Sequence, residues 1–294
     1  MVNSAAAVPQ RTPSHASAYQ HNISGQTVMY KTYLLFYLTR VILYYIILKR
    51  RENDMKINES IRNELLTDDG HMGTVHFDPK YTALPRKEGT IQMLKSMNVK
   101  NIIHIGCCGH LCNIKKQMES HSHFHSMLIR SFDKVIGFDI NKEAVDYLLS
   151  FHITDVYAMD FVQEHETVSE IIGRVFGTEP YAILLPEVLE HIGNPVSFLS
   201  ETVQYYGNPS NRLVISVPNA YGFGRVCDAL FHNKEFINMD HKYMFTPATL
   251  LKVMCTAGIV PDELQFLDLY KYSKVFKKPM LGNTILASGY FPKQ

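Results

Sequence analysis

Four residues in the second half of the chain have types and spacing that suit joint chemistry. They are Glu187, Glu190 and His191 in LLPEVLEHIGNP, and His241 in NMDHKYMFT. If a short helix begins at Pro186, the first three fall at i, i+3 and i+4 and share one face. Two carboxylates and two imidazoles gathered there could hold a divalent ion of the manganese, cobalt or zinc kind, or magnesium.

A second constellation lies earlier. Asn101 to His110, NIIHIGCCGH, is a short apolar run broken by glycines, and VIGFDIN, ending at Asn141, is an apolar run that closes on a carboxylate, Asp139. A buried strand, a tight glycine turn, a helix and a second strand tipped by an acid make a nucleoside pocket in α/β domains. Gly106 lets the chain turn sharply and leaves room for a ligand against the backbone. Asp139 can accept hydrogen bonds from both ribose hydroxyls.

The elements that must position these groups follow from the pattern of apolar runs. Strands are predicted over residues 101–105, 134–139, 155–158, 181–185, 212–217, 260–270 and 284–290. Helices are expected over residues 58–67, 86–97, 142–150, 168–175, 195–206 and 246–257, with a long crossover helix inside 111–132. This alternation predicts an α/β domain with a Rossmann-like, seven-stranded, mostly parallel sheet and helices on both faces. The last two strands have no helix between them, which predicts an antiparallel edge hairpin. Residues 68–85 read as a loop.

The domain is expected over residues 86–294. Ahead of it, residues 1–27 have the composition of a disordered tail, and residues 28–85 form a helical extension. Within the extension, Tyr33 to Leu48 is apolar nearly all round, flanked by Lys31 and by Lys49, Arg50 and Arg51. The run is shorter than the roughly 20 residues of a membrane span, and Arg40 sits in its middle. A helix docked on protein, a peripheral helix at the membrane interface with its basic flanks on anionic lipid, and a true span all remain open. The 294 residues are 46% hydrophobic and carry a net charge of +1, which lends no support to bulk nucleic-acid binding. Five cysteines without a C-x-x-C argue for a reduced, cytoplasmic protein, with membrane association resting on Tyr33 to Leu48 alone.

Five pieces stand in one order: IIHIGCCG, VIGFDIN, the VYAMD that ends at Asp160, LLPEVLEHIGNP and RLVISVPN. Together they resemble class I S-adenosylmethionine-dependent methyltransferases over roughly Arg86 to Tyr290. The nearest flavour is the group with an EVLEH signature (methyltransferase types 11 and 23), which includes ubiquinone-pathway and sugar O-methyltransferases. DHKYMFTPATLLKVMCTAGI fits the same group. The resemblance implies methyl transfer from S-adenosylmethionine to an acceptor, a hydroxyl of a small molecule or sugar. It implies that Gly106, Cys107, Cys108 and Gly109 wrap the methionine half of the cofactor. Asp139 then takes the ribose hydroxyls and Ile140 packs on the adenine. Asp160 accepts from the adenine amino group, with Phe161 beside the ring. Pro186 and Glu187 face the sulfonium and the acceptor, and Glu187, His191 and His241 become the catalytic candidates.

The small-RNA 3′-end 2′-O-methyltransferases carry a resembling E-x-x-E-H and a later His. That likeness keeps metal-assisted methylation of an RNA 3′ end as an alternative, with Glu187, Glu190, His191 and His241 as ligands. In metal-free relatives Glu190 caps or pairs structurally, and His191 is a substrate-side base or a packed histidine. The sequence departs from the family's G-x-G-x-G. Gly106, Cys108 and His110 stand in its register, Gly109 is offset, and His104 stands where an acid is common.

Two other function classes compete. A nicotinamide-dependent oxidoreductase is opposed by the gap from Gly106 to Asp139, which exceeds the roughly 20 residues expected there, and by EVLEH, which has no role in hydride transfer. A degenerate, membrane-associated binding domain is the other. Among lesser features, His121, His123 and His125 read as a solvated insertion. Cys108 and Cys112 have helical spacing but lack partners at zinc-site distances. Lys271, Lys274, Lys277 and Lys278 read as a solvated hairpin.

Overall fold

The protein is described by a computed structural model over residues 57, 59–66, 80–81, 84–268 and 278–293. In chain order the elements begin with α1 (Glu59–Leu66), β1 (Lys80–Tyr81), α2 (Arg86–Ser96), β2 (Asn101–Ile105), α3 (Leu111–Glu119), α4 (Phe124–Ile129) and β3 (Lys134–Asp139). Next come α5 (Lys142–Leu149), β4 (Val156–Ala158), α6 (His165–Phe176), β5 (Tyr181–Pro186), α7 (Pro195–Tyr206) and β6 (Arg212–Pro218). The chain closes with α8 (Phe223–Cys227), α9 (Pro247–Thr256), β7 (Val260–Leu267) and β8 (Thr284–Tyr290).

The strands form one sheet in the order β1-β7-β8-β6-β5-β2-β3-β4. β8 runs antiparallel to β6 and β7, and every other pair is parallel. This is the expected Rossmann-like sheet of seven strands. The two-residue β1, in a stretch expected to be loop, adds an eighth at the β7 edge.

Side chains alternate between the two faces with the strand period of two. Ile103, Ile105, Ile136, Phe138, Ile183 and Leu185 join one core, while Ile102, Val135, Ala182 and Leu184 pack against Met93 and Leu94 of α2 and Leu128 of α4. Both faces are covered, which is why the central strands read as continuous apolar runs. Caps fix the helix starts. Asn141 accepts from Ala144 N–H, Asn194 from Ser197 N–H, and Thr246 and Thr249 form a reciprocal capping box.

The chain moves from β2 towards β3 and β4 on one side, and from β5 towards β6 on the other. The reversal leaves a crevice outside the carboxyl ends of β2 and β5, where ligands of open α/β sheets sit.

Two expectations are corrected. The single crossover helix within 111–132 is two helices, α3 and α4, separated by a turn in which His121 takes a left-handed φ of 53°. The break lets α4 pack inward, so His123 and His125 are 2% and 0% exposed and only His121 of the three is solvated. Residues 1–56 lie outside the described residues, and with them the tail and the apolar run 33–48. Lys271, Lys274 and Lys277 also lie outside. Among the described residues, no helix is long and apolar enough to cross a membrane.

Candidate active site

A cleft of about 900 Å³ opens over the carboxyl ends of β2, β3 and β5, and both constellations line it. At one end Gly106 has φ +70°, and its N–H donates to Phe138 O at 2.8 Å. A Cβ at this position would lie 2.7 Å from Val188 Cγ2, so no other residue fits the turn unstrained. Gly109, at φ +64°, has nothing within 4 Å of an added Cβ and faces open space. The second conformationally special glycine is therefore Gly109, one place later than the family register.

Asp139 stands at the tip of β3. Its Oδ2 accepts from Cys108 N–H at 3.0 Å and its Oδ1 from Asn141 N–H at 2.9 Å. Both oxygens keep a further lone pair for a ligand's hydroxyls. Ile140 beside it is 79% exposed, an uncovered apolar platform at the cleft lip. Asp160 Oδ1 accepts from the N–H groups of Val162 and Gln163, both at 3.0 Å, which leaves Oδ2 for another donor. Phe161 borders the cleft, but its ring is committed to the core. It stacks on Tyr206 with centroids 4.3 Å apart, and Tyr206 Oη donates to its carbonyl.

At the other end Pro186 closes β5 rather than opening a helix. Glu187 takes a left-handed φ of 56°, uncommon for a residue with a side chain. Its N–H donates to Ser216 O at 2.8 Å, its Oε1 accepts from Ser216 Oγ at 3.2 Å, and its Oε2 pairs with Arg86 Nη1 at 2.7 Å. Burial pushes the Glu187 carboxyl up and the Arg86 charge opposes the shift. The i, i+3, i+4 face is therefore not formed, because Glu187 is held by α2 while a tight turn, Leu189–His191, carries the other two residues.

Glu190 is 0% exposed, and both of its carboxylate oxygens lack a hydrogen-bond partner. Its Oε1 lies 4.0 Å from His191 Nε2 and 4.0 Å from His241 Nε2. The two imidazoles meet edge-on with centroids 4.7 Å apart. Burial, and next the Glu187 charge, push the Glu190 carboxyl up to about 8. Burial, and next the neighbouring His191, push His241 down, so its ring is kept neutral.

His191 Nδ1 donates to Asp240 O at 3.3 Å and lies 3.4 Å from Asp240 Oδ2, which leaves Nε2 as the ring's acceptor. Asn238 Nδ2 lies 3.2 Å from His241 Nε2. The N–H groups of Lys242 and Tyr243 donate to Glu190 O at 2.8 and 3.3 Å, latching the loop after β6 to the turn after β5.

The structure thus brings Glu190, His191 and His241 together and sets Glu187 against Arg86. Sequence reasoning missed Arg86, Asn238 and Asp240 as site residues. Asp240 had a signal, its place beside His241, whereas Arg86 had none beyond opening a helix.

One carboxylate and two imidazoles offer donor atoms within 4.8 Å of one another. The orphaned Glu190 oxygens and the two imidazole rings fit a divalent ion of the manganese, cobalt or zinc kind. They equally suit a metal-free base.

Neither the protein-family models nor the curated proteins compared with this sequence give a match. Solved structures do. The chain is similar to a SAM-dependent methyltransferase from Archaeoglobus fulgidus, at 12% identity and TM-score 0.43, covering 69% of this chain and 93% of that one. It is similar to a duf574 family protein from Streptomyces avermitilis, at 10% identity and TM-score 0.48, covering 70% and 80%. It is also similar to the small RNA methyltransferase HEN1, at 14% identity and TM-score 0.47, covering 76% of this chain but 28% of that one. At such identities these similarities assign no residue a role.

Proposed function

We propose that the protein transfers the methyl group of S-adenosylmethionine to a hydroxyl of a small molecule or sugar, as an EVLEH-type class I methyltransferase. The observation that carries the proposal is the union, in one cleft, of a nucleoside ledge and a buried acid–imidazole cluster. Gly106, Gly109, Asp139 and Ile140 form the ledge; Glu190, His191 and His241 form the cluster.

In the reaction the methyl–sulfur bond breaks as the methyl–oxygen bond forms, and S-adenosylhomocysteine leaves. Alignment of acceptor and sulfonium supplies most of the barrier reduction. The hydroxyl proton passes to His191 Nε2, which the Nδ1 bond to Asp240 keeps free. The imidazolium so formed lies 4.0 Å from the Glu190 carboxyl and favours its ionised form. Glu187, fixed by Arg86 and Ser216, shapes the cleft between ledge and cluster.

A second reading is favoured by the two orphaned Glu190 oxygens. Glu190, His191 and His241 would hold a divalent ion, whose chemistry is to lower the pKa of a bound hydroxyl. That reading brings the 2′-hydroxyl of an RNA 3′ end forward as acceptor. A cytoplasmic setting, with peripheral membrane contact through residues 33–48, belongs to the same proposal.

The test is calorimetric binding of S-adenosylmethionine to the wild type and to Asp139→Ala, with metal analysis of the same sample. Binding weakened about tenfold by the substitution, the scale of a lost hydrogen bond to a charged group, supports the ledge. Absence of binding by a folded sample refutes the proposal. Metal that co-purifies with the wild type and is lost in His241→Ala selects the second reading.

A further inference from the structure

Beneath the glycine turn, two adjacent thiols and the β3 carboxylate converge. Cys107 and Cys108 are free and buried, with Sγ atoms 3.8 Å apart. Their sulfurs and an Asp139 oxygen all lie within 4.8 Å of one another. Tetrahedral zinc with Zn–S bonds of about 2.3 Å requires two sulfurs about 3.8 Å apart. All three residues line the cleft, so an ion has a route in. The position depends on a missing side chain: a Cβ on Gly137 would lie 2.7 Å from Cys107 Sγ.

We propose that Cys107, Cys108 and Asp139 form a site for a thiophilic divalent cation of the zinc or cobalt kind, and that this site overlaps the ribose end of the nucleoside ledge. The overlap, though not the site itself, rests on the function proposed above. Binding releases one proton from each thiol to solvent, and the cation then holds two thiolates and a carboxylate with a fourth position open to water. With Asp139 so engaged, its oxygens are withdrawn from a ribose, and cation and cofactor exclude each other. The Glu190 cluster contains no sulfur, so the two sites are distinguishable by spectrum.

Cobalt(II) titrated into the reduced, metal-free full-length protein tests this. The readout is near-ultraviolet sulfur-to-cobalt charge-transfer absorption, which a carboxylate–imidazole site cannot produce. The expected result is a saturable band, kept in Cys112→Ser, whose thiol is exposed. Cys108→Ser and Asp139→Asn should each weaken it at least tenfold, and saturating S-adenosylhomocysteine should suppress it. No band, or a band unchanged in both Cys108→Ser and Asp139→Asn, overturns the site. A band that persists while calorimetry shows S-adenosylhomocysteine bound overturns the overlap. Failure of S-adenosylhomocysteine to bind at all counts against the methyl-transfer reading, and the cation site then stands or falls on the variants.

Discussion

Replacing Glu190 by glutamine removes an ionisable group from a place where its charged form is costly. The carboxyl is raised from 4.5 to about 8, chiefly by burial, in a side chain that is 0% exposed. At 1.36 kcal/mol per unit, the difference is of order 5 kcal/mol between the two protonation states. The folded-state value lies above the unfolded one, so between pH 4.5 and 8 the folded chain keeps a proton that the unfolded chain has released. The stability Glu190 contributes is complete below pH 4.5 and is lost as pH rises through about 8. Glutamine keeps the shape without the titration. Denaturant unfolding of wild type and Glu190→Gln in chelator at pH 5, 7 and 9 isolates the effect, followed by circular dichroism because the chain has no tryptophan. From pH 5 to pH 9 the wild type should lose several kcal/mol relative to the variant, or roughly 10–20 °C in Tm for a domain of this size. Stability curves that stay parallel across the range would refute the burial argument. Manganese added at pH 9 should stabilise the wild type and leave Glu190→Gln unmoved if the cluster holds an ion.

Four further outcomes are expected. Gly106→Ala, with a φ of +70° and Val188 Cγ2 2.7 Å from the new Cβ, should cost about 1–3 kcal/mol in unfolding free energy. Gly109→Ala, at φ +64° with nothing within 4 Å, should cost about 1 kcal/mol, so the contrast between the two reads steric clash apart from backbone strain. Asp240→Ala removes the carboxylate 3.4 Å from His191 Nδ1 while the backbone carbonyl bond stays, and should lower kcat by about 10-fold, with cofactor affinity by calorimetry unchanged. Arg86→Gln leaves Glu187 without its ion pair and should further raise its carboxyl, seen as an upward shift of that resonance's titration midpoint by NMR.

Much of the fold was legible because it rests on local patterns. The runs Asn101–Ile105, Lys134–Asp139 and Arg212–Pro218 are apolar on both faces, as buried parallel strands must be. Gly106 and Asp139 of the cleft were legible for the same reason, since they sit at strand ends. The acid cluster was legible as a set of residue types but not as geometry. The helical face assumed for Glu187, Glu190 and His191 fails because Arg86, 101 residues upstream, captures Glu187, and no local pattern carries that contact. The histidines of α4 show the same limit. HSHFH is polar in composition, yet His104 Nδ1 lies 3.1 Å from His125 Nδ1 in the core, and a pairing across 21 residues overrides the composition. Residue β1 strand formation was equally invisible, because a two-residue edge has no period to read.

The loop after β6 is tied at both ends. Asn219 N–H donates to Asn283 O and Ala220 N–H to Phe245 O at one end, and Lys242 and Tyr243 donate to Glu190 O at the other. Between these ties lie Leu230, Phe231, Phe236 and Met239, all more than 60% exposed. A tether whose feet are pinned can change length cheaply, since doubling it costs only about 0.6 kcal/mol in closure entropy. The segment between the feet is thus an exchangeable cassette: its length and side chains can be rewritten while the feet keep Glu190 and His241 in register.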